Sequence, residues 1–538
     1  MAPNATALQP CAIYVHDPYE QTAHLPPRAR PHRLPASKLP RSWSMHHRYA
    51  TELWLHDAMR THPWRVDSAA EADVAYVAAD FARLCSANKI FSGRRVWQAA
   101  LRDPLLFPEH QGEISRRRVA QLRAAAPPAT RSLPKAFSYQ YQACPPWLDN
   151  NGTSYVPRDL LWLADFAPTG LHGNDVRFAV TPFVVSKPEW LAGAPGATVP
   201  EALRSRWRER KLLFFAGHTP RLFGSRWGHS GVRFDAWQQL RRDARATTKS
   251  HSINCTVGAF ADCSRLSRDF LQRQTSEWFV RRCLPYCRPG AQLANASASA
   301  VAGVCGASLR WSPRQNLARL QRDCKSYAHV QFTPGLLADM HRDASLDWSY
   351  DAYLKQAMGH KFCLVARGDM PGTPKINEMI AMGGAGGCLP LFVVNVHPPG
   401  TTLAGEGRGS EGGEGGGEGG GGLRGQSSFA DALRRSLPYT RWLDWCDAAF
   451  FVSEFAARQQ MPAVLAALER VTPAQAAAKR RALRSLRPAF GFWSNSSPNA
   501  PSATDFILGE LCAMARHARH GMAPTVVGGT PRTGCLLA

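Results

Sequence analysis

The chain has 538 residues, of which 44% are hydrophobic, so it carries enough apolar material for folded cores and is not a wholly disordered protein. Its formal net charge is +24, from 65 basic and 41 acidic residues, which suits an anionic partner such as a nucleic acid or an acidic glycan. The Arg residues are dispersed rather than grouped with aromatic residues in a stripe, and this disfavours a nucleic-acid-binding protein.

Elements of the N-terminal half alternate between strands and helices. The sequence predicts a strand at Cys11–Val15, a helix at Tyr49–Arg60, and strands at Val74–Ala78 and Phe178–Val185. Two carboxylates, Asp17 and Asp165, are expected at the carboxyl ends of strands in this half. We therefore predict a first α/β domain over residues 1–195 and take these two residues as candidate catalytic bases.

A second domain is expected after a linker at 196–210, over residues 211–515. It opens with the apolar strand Lys211–Gly217, which places Gly217, His218 and the nearby Arg221 at an edge where a ligand would bind. Residues 225–325 are predicted to form a cysteine-rich insertion. Residues 400–425 are rich in Gly and Glu and are predicted to be a disordered loop, and residues 516–538 a tail.

The stretch from Tyr350 to Pro390 carries the strongest functional pattern. It predicts a helix, the strand Phe362–Ala366, a turn containing Arg367, a helix capped by Thr373, and the strand Cys388–Val394. Lys375 and Glu378 lie in the first turn of the second helix. A helix N-terminus beside basic residues suits a diphosphate, and Glu378 could accept a hydrogen bond from a sugar hydroxyl. The alternative is a structural crossover in which Lys375 and Glu378 are simply solvated.

Cysteine usage and glycosylation sequons indicate an oxidising compartment. Fourteen cysteines favour disulfides, and six of them crowd together with spacing that is poor for a zinc site. We expect disulfides among Cys255, Cys263, Cys283, Cys287, Cys305 and Cys324. Five Asn-x-Ser/Thr sites point the same way, namely Asn4, Asn151, Asn254, Asn295 and Asn495.

The segment around Lys375 resembles the C-terminal signature of exostosin-type glycosyltransferases, glycosyltransferase family 47. The matching residues are Phe362-Cys363-Leu364, Gly368-Asp369, Thr373, Lys375, Glu378 and Gly387-Cys388-Leu389-Pro390-Leu391. The chain departs from the family at Lys375, where Arg is usual, and in the extra glycines Gly383–Gly386. Arg158-Asp159 stands where the family has Asp-His, so the histidine expected of the family is missing.

This resemblance implies a fold, an activity and a site. The fold would be α/β of the GT-B type, with two Rossmann-like domains facing across a cleft, with insertions. The activity would be the inverting, metal-independent transfer of a sugar from a nucleoside-diphosphate donor to a glycan or glycoprotein acceptor. No cofactor beyond that co-substrate is expected, and the Asp-x-Asp pair of metal-dependent transferases is missing from the chain. The donor site would contain Gly217, His218, Arg221, Arg367, Asp369, Thr373, Lys375 and Glu378.

The resemblance also implies a lumenal protein of the Golgi apparatus, held by an N-terminal membrane anchor. The N-terminal residues show no signal peptide and the chain has no apolar run of 18 residues, so we expect this sequence to start downstream of such an anchor. The expected partners are a nucleotide sugar and a glycan, not a nucleic acid. Two alternatives stay open: a catalytically inactive glycan-binding relative, and a basic protein that binds polyanions or nucleic acid.

Overall fold

A computed structural model describes residues 10–16, 51–78, 133–139, 160–164, 178–184, 207–217, 231–250, 339, 350–366, 373, 375–396, 429–492, 501–520 and 535–537. These residues form an α/β protein with two sheets of parallel strands and helices packed against them, an arrangement compatible with two Rossmann-like domains. The α/β class predicted from the sequence is therefore confirmed.

The first sheet has six parallel strands in the order β2-β1-β3-β4-β5-β6. They are β1 (Ile13–His16), β2 (Arg65–Val66), β3 (Val74–Val77), β4 (Lys135–Tyr139), β5 (Leu160–Ala164) and β6 (Phe178–Val180). Strands in parallel sheets are covered on both faces, which explains the continuous burial of β3 and β6. The strands predicted near residues 11, 74 and 178 are all present, and each is shorter than predicted.

The second sheet has five parallel strands in the order β11-β10-β9-β7-β8. They are β7 (Lys211–Gly217), β8 (Ala246–Ser250), β9 (His360–Val365), β10 (Leu389–Val394) and β11 (Phe450–Ser453). The apolar strand predicted at Lys211–Gly217 is confirmed with the same bounds, and it lies between β9 and β8 in the sheet.

Ten α-helices and two short 3-10 turns are described with these strands. The helices are α1 (Thr51–Met59), α2 (Gly231–Leu240), α3 (Tyr350–Met358), α4 (Lys375–Gly384), α5 (Phe429–Ser436), α6 (Trp445–Ala448), α7 (Glu454–Gln459), α8 (Met461–Glu469), α9 (Pro473–Leu486) and α10 (Ala503–His520). The 3-10 turns are Trp207–Glu209 and Arg487–Phe490. Within the described ranges, no helix combines the length and the apolar composition that crossing a membrane requires.

The βαβ unit predicted around Lys375 is present as β9, α4 and β10, because β9 and β10 pair in parallel. The predicted apolar face of α3 is also confirmed: Tyr353, Leu354, Ala357 and Met358 are all buried. Helix α4 ends in a left-handed Gly386 (φ 98°), after which the Gly387 amide donates to the Met382 carbonyl at 2.8 Å. This bond closes the helix in the manner of a Schellman cap.

The structure shifts three of the predicted domain boundaries. Helix α2 and strand β8 belong to the second sheet, so an insertion cannot begin at residue 225. The prediction divides α10 between the second domain (503–515) and the tail (516–520), whereas the helix packs on β5, β6 and α1 of the first domain and also on the 3-10 turn Arg487–Phe490. Residues 535–537 were assigned to a tail, yet Leu536 pairs with Phe451 and the Leu537 amide donates to the Phe451 carbonyl at 2.9 Å. Residues that pair with the outermost strand, β11, cover its unsatisfied backbone groups. The composition of residues 516–538 alone did not reveal this pairing.

Three disulfides lie among the described residues: Cys11–Cys512, Cys363–Cys388 and Cys446–Cys535. The first joins the residues just before β1 to α10, the second joins β9 to the residue before β10, and the third joins α6 to residues 535–537. None of these pairs was predicted from the sequence. The six crowded cysteines of 255–324, the five sequons and the Gly-rich segment 400–425 lie outside the described residues, so those predictions stay predictions.

Candidate functional site

The strand order of the second sheet defines a crevice between β7 and β9. After β7 the chain adds β8 on one side, and then returns to add β9, β10 and β11 on the other side. The strand order therefore runs in opposite directions from the neighbouring strands β7 and β9. In open α/β sheets ligands bind at such a switch point, so the ends of β7 at Gly217 and of β9 near Ala366 are the place to look for a site.

Arg233 of α2 bridges the two sides of this crevice. Its Nε donates to the Ala366 carbonyl at 3.2 Å, and a Cβ added at Gly217 would lie 3.6 Å from its Cδ. The Arg233 side chain thus spans from the end of β7 to the end of β9. The tightest contact of a Cβ at residue 217 would be with the Phe215 ring, whose Cζ would lie 3.3 Å away, while Arg233 would be at an ordinary van der Waals distance.

Helix α4 points its N-terminus at the same edge of the sheet. Thr373 is buried, and its Oγ1 lies 3.5 Å from the Lys375 amide, while the Ile376 amide donates to the Thr373 carbonyl at 3.0 Å. Thr373 therefore occupies the capping position predicted for it. The helix N-terminus contributes a partial positive charge of about half an elementary charge.

Lys375 and Glu378 are brought together by Tyr353 of α3. The Lys375 ammonium donates to the Tyr353 hydroxyl at 3.0 Å, and this hydroxyl donates to Glu378 Oε2 at 3.4 Å. The ammonium also lies 4.2 Å from the centre of the Tyr353 ring. The three side chains form one polar chain at the first turn of α4.

The environment of Lys375 makes its charge dependent on pH near neutrality. Burial lowers the pKa of Lys375 to about 8, the carboxylate of Glu378 opposes this shift, and the charge of Arg233 adds to it. Burial lowers the pKa because a cation loses its hydration there. Arg233 reaches the end of β9 at Ala366, and Lys375 opens the helix that follows β9, so both cations lie at the carboxyl end of this strand. A bound anion between the two cations would offset both the desolvation of Lys375 and its repulsion from Arg233.

The first domain reaches this site through the segment after β6. The Asn377 side chain, one turn into α4, donates from Nδ2 to the Phe183 carbonyl, and Asn377 is buried. Thr51 of α1 holds the adjacent Pro182 carbonyl through its hydroxyl at 2.9 Å. The carboxyl end of β6 therefore lies beside the N-terminus of α4. Asn377 Oδ1 has no hydrogen-bond partner among the described residues.

The predicted site residues divide into two groups. Gly217, Thr373, Lys375 and Glu378 are described, and the structure places them at one edge of the second sheet. The others lie outside the described residues: Asp17, Asp165, His218, Arg221, Arg367 and Asp369. Asp17 and Asp165 directly follow the last residues of β1 and β5, so the strand bounds agree with their expected place at strand ends.

Three residues of the site were missed by sequence reasoning. Arg233 was placed inside the supposed insertion, Tyr353 was taken only as part of an apolar helix face, and Asn377 was not singled out. A signal existed for Tyr353 alone, because a tyrosine on an apolar face needs a partner for its hydroxyl. Arg233 and Asn377 depend on contacts between distant segments.

Chemically, the described arrangement offers two cations and a helix N-terminus to an anion, and beside them a carboxylate that can accept hydrogen bonds. These are the groups that bind a phosphate or diphosphate next to a hydroxyl-bearing group. Within the ranges that the structure describes, no three His, Cys, Asp or Glu side chains lie close enough to ligate a metal ion.

Comparison with known proteins adds no relative to these observations. No model of a protein family matches the chain. The chain likewise has no match among curated proteins.

Proposed function

We propose that this protein is a glycosyltransferase of the GT-B type, which transfers a sugar from a nucleoside-diphosphate donor to a glycan or glycoprotein acceptor with inversion. The donor occupies the crevice between β7 and β9. The observation that carries the proposal is the convergence of Arg233, Lys375 and the N-terminus of α4 at the switch point of a parallel sheet. The resemblance of residues 362–391 to the exostosin signature supports it.

Each described side chain has a role in this proposal. Lys375 and Arg233 contact the diphosphate and stabilise the negative charge that develops on it as the sugar departs. Glu378 accepts a hydrogen bond from a hydroxyl of the ribose or of the sugar. Tyr353 is a positioning residue, since its hydroxyl contacts both Lys375 and Glu378.

The acceptor approaches from the first sheet. The bond between Asn377 and Phe183 puts the carboxyl end of β6 next to the proposed donor site. Strands β1 and β5 end at this same edge of the first sheet because all of its strands are parallel. An inverting transfer needs a base that takes the proton from the acceptor hydroxyl, and Asp17 and Asp165 are the candidates.

The test is a screen of the full chain, produced through a secretory pathway, against a panel of nucleotide sugars with glycan acceptors. We expect release of a nucleoside diphosphate with at least one donor, together with an acceptor product of inverted anomeric configuration. A Lys375→Ala variant serves as the inactive control. Donor binding without hydrolysis or transfer across the panel would instead favour a catalytically inactive glycan-binding relative.

A further inference from the structure

A group of basic side chains surrounds Trp207 at the opposite edge of the second sheet. The Arg480 guanidinium lies 4.8 Å from the centre of the Trp207 ring, and the Lys361 ammonium lies 5.7 Å from it. Trp207 precedes β7, and Lys361 is the second residue of β9, so both belong to the amino-terminal ends of these strands. Because β9 has six residues, this edge is about 20 Å from the proposed donor site.

Two further arginines extend this group. Arg484 is exposed one turn beyond Arg480 on α9, and Arg210 lies just before β7. Burial lowers the pKa of Arg480 to about 10, and the charges of Arg210 and Arg484 contribute to that shift. The four cations Arg210, Lys361, Arg480 and Arg484, together with Trp207, are here called the basic patch.

Capping of α4 accounts for only part of this charge. Arg210 donates to the Gly386 and Gly387 carbonyls at 2.8 and 3.2 Å, and Arg480 donates to the Gly387 carbonyl at 3.3 Å. A helix C-terminus carries about half a negative charge, which one cation suffices to balance. Arg480, Arg484 and Lys361 form no ion pair with a carboxylate in the part of the chain that the structure describes. The exposed carboxylate of Glu209, in the same turn as Trp207, offsets one of these charges, and the described residues of this edge still carry more cations than carboxylates.

We propose that the basic patch binds a linear anionic polysaccharide. The cations suit its carboxylate or sulfate groups, and arginine forks bind such oxyanions in a bidentate manner. The half-buried Trp207 ring offers a surface on which the C–H bonds of a sugar pack, since the face of an aromatic ring carries negative potential. The Trp207 ring makes an edge contact with Phe362, whose centroid lies 5.5 Å away, and this contact helps to fix its orientation.

The disulfides favour a glycan over a nucleic acid as the bound polyanion. Cys11–Cys512, Cys363–Cys388 and Cys446–Cys535 are typical of proteins that fold in oxidising compartments, where polysaccharides rather than nucleic acids are the abundant polyanions. The inference does not depend on the transferase proposal, because it uses none of the residues of the donor site.

The experiment measures binding of the full, disulfide-intact chain to an oligogalacturonide and to a heparin oligosaccharide of matched length, with a neutral dextran oligosaccharide and single-stranded DNA of equal charge for comparison. We expect one or both of the acidic oligosaccharides to bind, with an affinity that falls steeply as salt rises. The neutral oligosaccharide should not bind. Each cation that contacts the polyanion should increase the binding affinity about fivefold at low salt.

Variants locate the binding surface. Arg480→Gln combined with Arg484→Gln should weaken binding by about 25-fold at low salt. Because Arg480 also caps α4, Arg484→Glu provides a second variant at an exposed residue, with an expected loss of similar size. Arg470→Gln, an exposed arginine at the end of α8 that takes part in none of these contacts, is the matched control, and Lys375→Ala should bind the polysaccharide as the wild type does.

The proposal is overturned if Arg484→Glu binds both acidic oligosaccharides as tightly as the wild type, or if neither of them binds at low salt. It is also overturned if single-stranded DNA binds as tightly as the preferred oligosaccharide and loses affinity in the same variants. That result would identify the basic patch as a surface for any polyanion, without selectivity for a glycan.

Discussion

Lys375 is the residue on which the proposed donor site depends most, and its charge is set by its surroundings. Its pKa of about 8 means that the side chain is mostly charged at pH 7 and neutral well above pH 8. The family to which the sequence shows resemblance usually has Arg here, which stays charged throughout this range. In the structure the Lys375 ammonium donates to the Tyr353 hydroxyl, which in turn donates to the Glu378 carboxylate.

The first prediction concerns pH. Only the protonated lysine attracts a diphosphate, so the affinity for nucleoside diphosphates should fall as pH rises from 7 to 9, with a midpoint near or above the pKa of free Lys375. Lys375→Arg should bind at least as tightly at pH 7 and lose most of this pH dependence. Isothermal titration calorimetry across this pH range measures both. An equally steep loss in the Arg variant would show that another group titrates.

Tyr353 gives a second prediction at this scale. Tyr353→Phe removes one hydroxyl while retaining a ring that packs 5.7 Å from Phe214. Without the hydroxyl, Lys375 and Glu378 lose their common partner. We expect diphosphate affinity to fall about fivefold to tenfold, as for the loss of one hydrogen bond, while the thermal melt changes little.

A double-mutant cycle provides the control for that experiment. If Tyr353 acts through Lys375, the Tyr353→Phe change should have almost no further effect in a Lys375→Ala background. Full additivity of the two effects would show that Tyr353 does not position Lys375.

At the scale of elements, the glycines that end α4 set how closely α9 packs against it. A Cβ added at Gly383 would lie 2.6 Å from Leu483 Cδ1 and 3.2 Å from the Cys388 carbonyl. At Gly384 it would lie 2.7 Å from Arg487 Cδ. The extra glycines that set this chain apart from the family pattern therefore match a close approach of two helices.

The prediction from this packing is that Gly383→Ala lowers the free energy of unfolding by about 1–3 kcal/mol, because the buried Leu483 and a backbone carbonyl both oppose the new methyl group. Gly359→Ala is the matched control, since a Cβ there meets only ordinary contacts at 3.4 Å and beyond. Denaturant unfolding measures both variants. Equal stability of the two would contradict the packing described for α4 and α9.

At the scale of the whole molecule, α10 ties the two sheets together. It carries Cys512 and Arg519, which bond to Cys11 and Asp73 of the first domain. It also carries Glu510, whose buried carboxylate accepts from Arg441 at 3.0 Å, and Arg441 in turn reaches the Phe178 carbonyl of β6 at 3.5 Å. Burial raises the pKa of Glu510, so its ionised form depends on the arginine.

Breaking this pair should destabilise the protein. Arg441→Ala leaves a buried carboxylate without its cation, and we expect a loss of about 3–5 kcal/mol in the free energy of unfolding. Glu510→Gln added to Arg441→Ala should restore part of it, because a neutral amide costs less to bury than a carboxylate. Chemical denaturation of the three proteins measures this, and a double variant no more stable than Arg441→Ala would contradict the role of charge.

The sequence predicted the parts of the fold that follow from local patterns. The strand Lys211–Gly217, the buried face of α3 and the βαβ unit around Lys375 are local, because apolar runs and glycine turns determine them within a few residues. The return of α10 to the first sheet is not local, since it depends on contacts between segments hundreds of residues apart. The same holds for Arg233, whose place beside Gly217 and Ala366 follows from the order of strands.

The most direct test of the donor site compares Lys375→Ala and Glu378→Ala with the wild type by calorimetric titration with nucleoside diphosphates, beside a thermal melt of each protein. Removing one partner of a buried, charge-assisted hydrogen bond costs about 2–5 kcal/mol, so both variants should lose about 30-fold or more in affinity. Their melting temperatures should stay close to that of the wild type, as should both properties of the exposed control Lys355→Ala. If both variants bind as the wild type does, α4 is a structural crossover and the donor binds elsewhere.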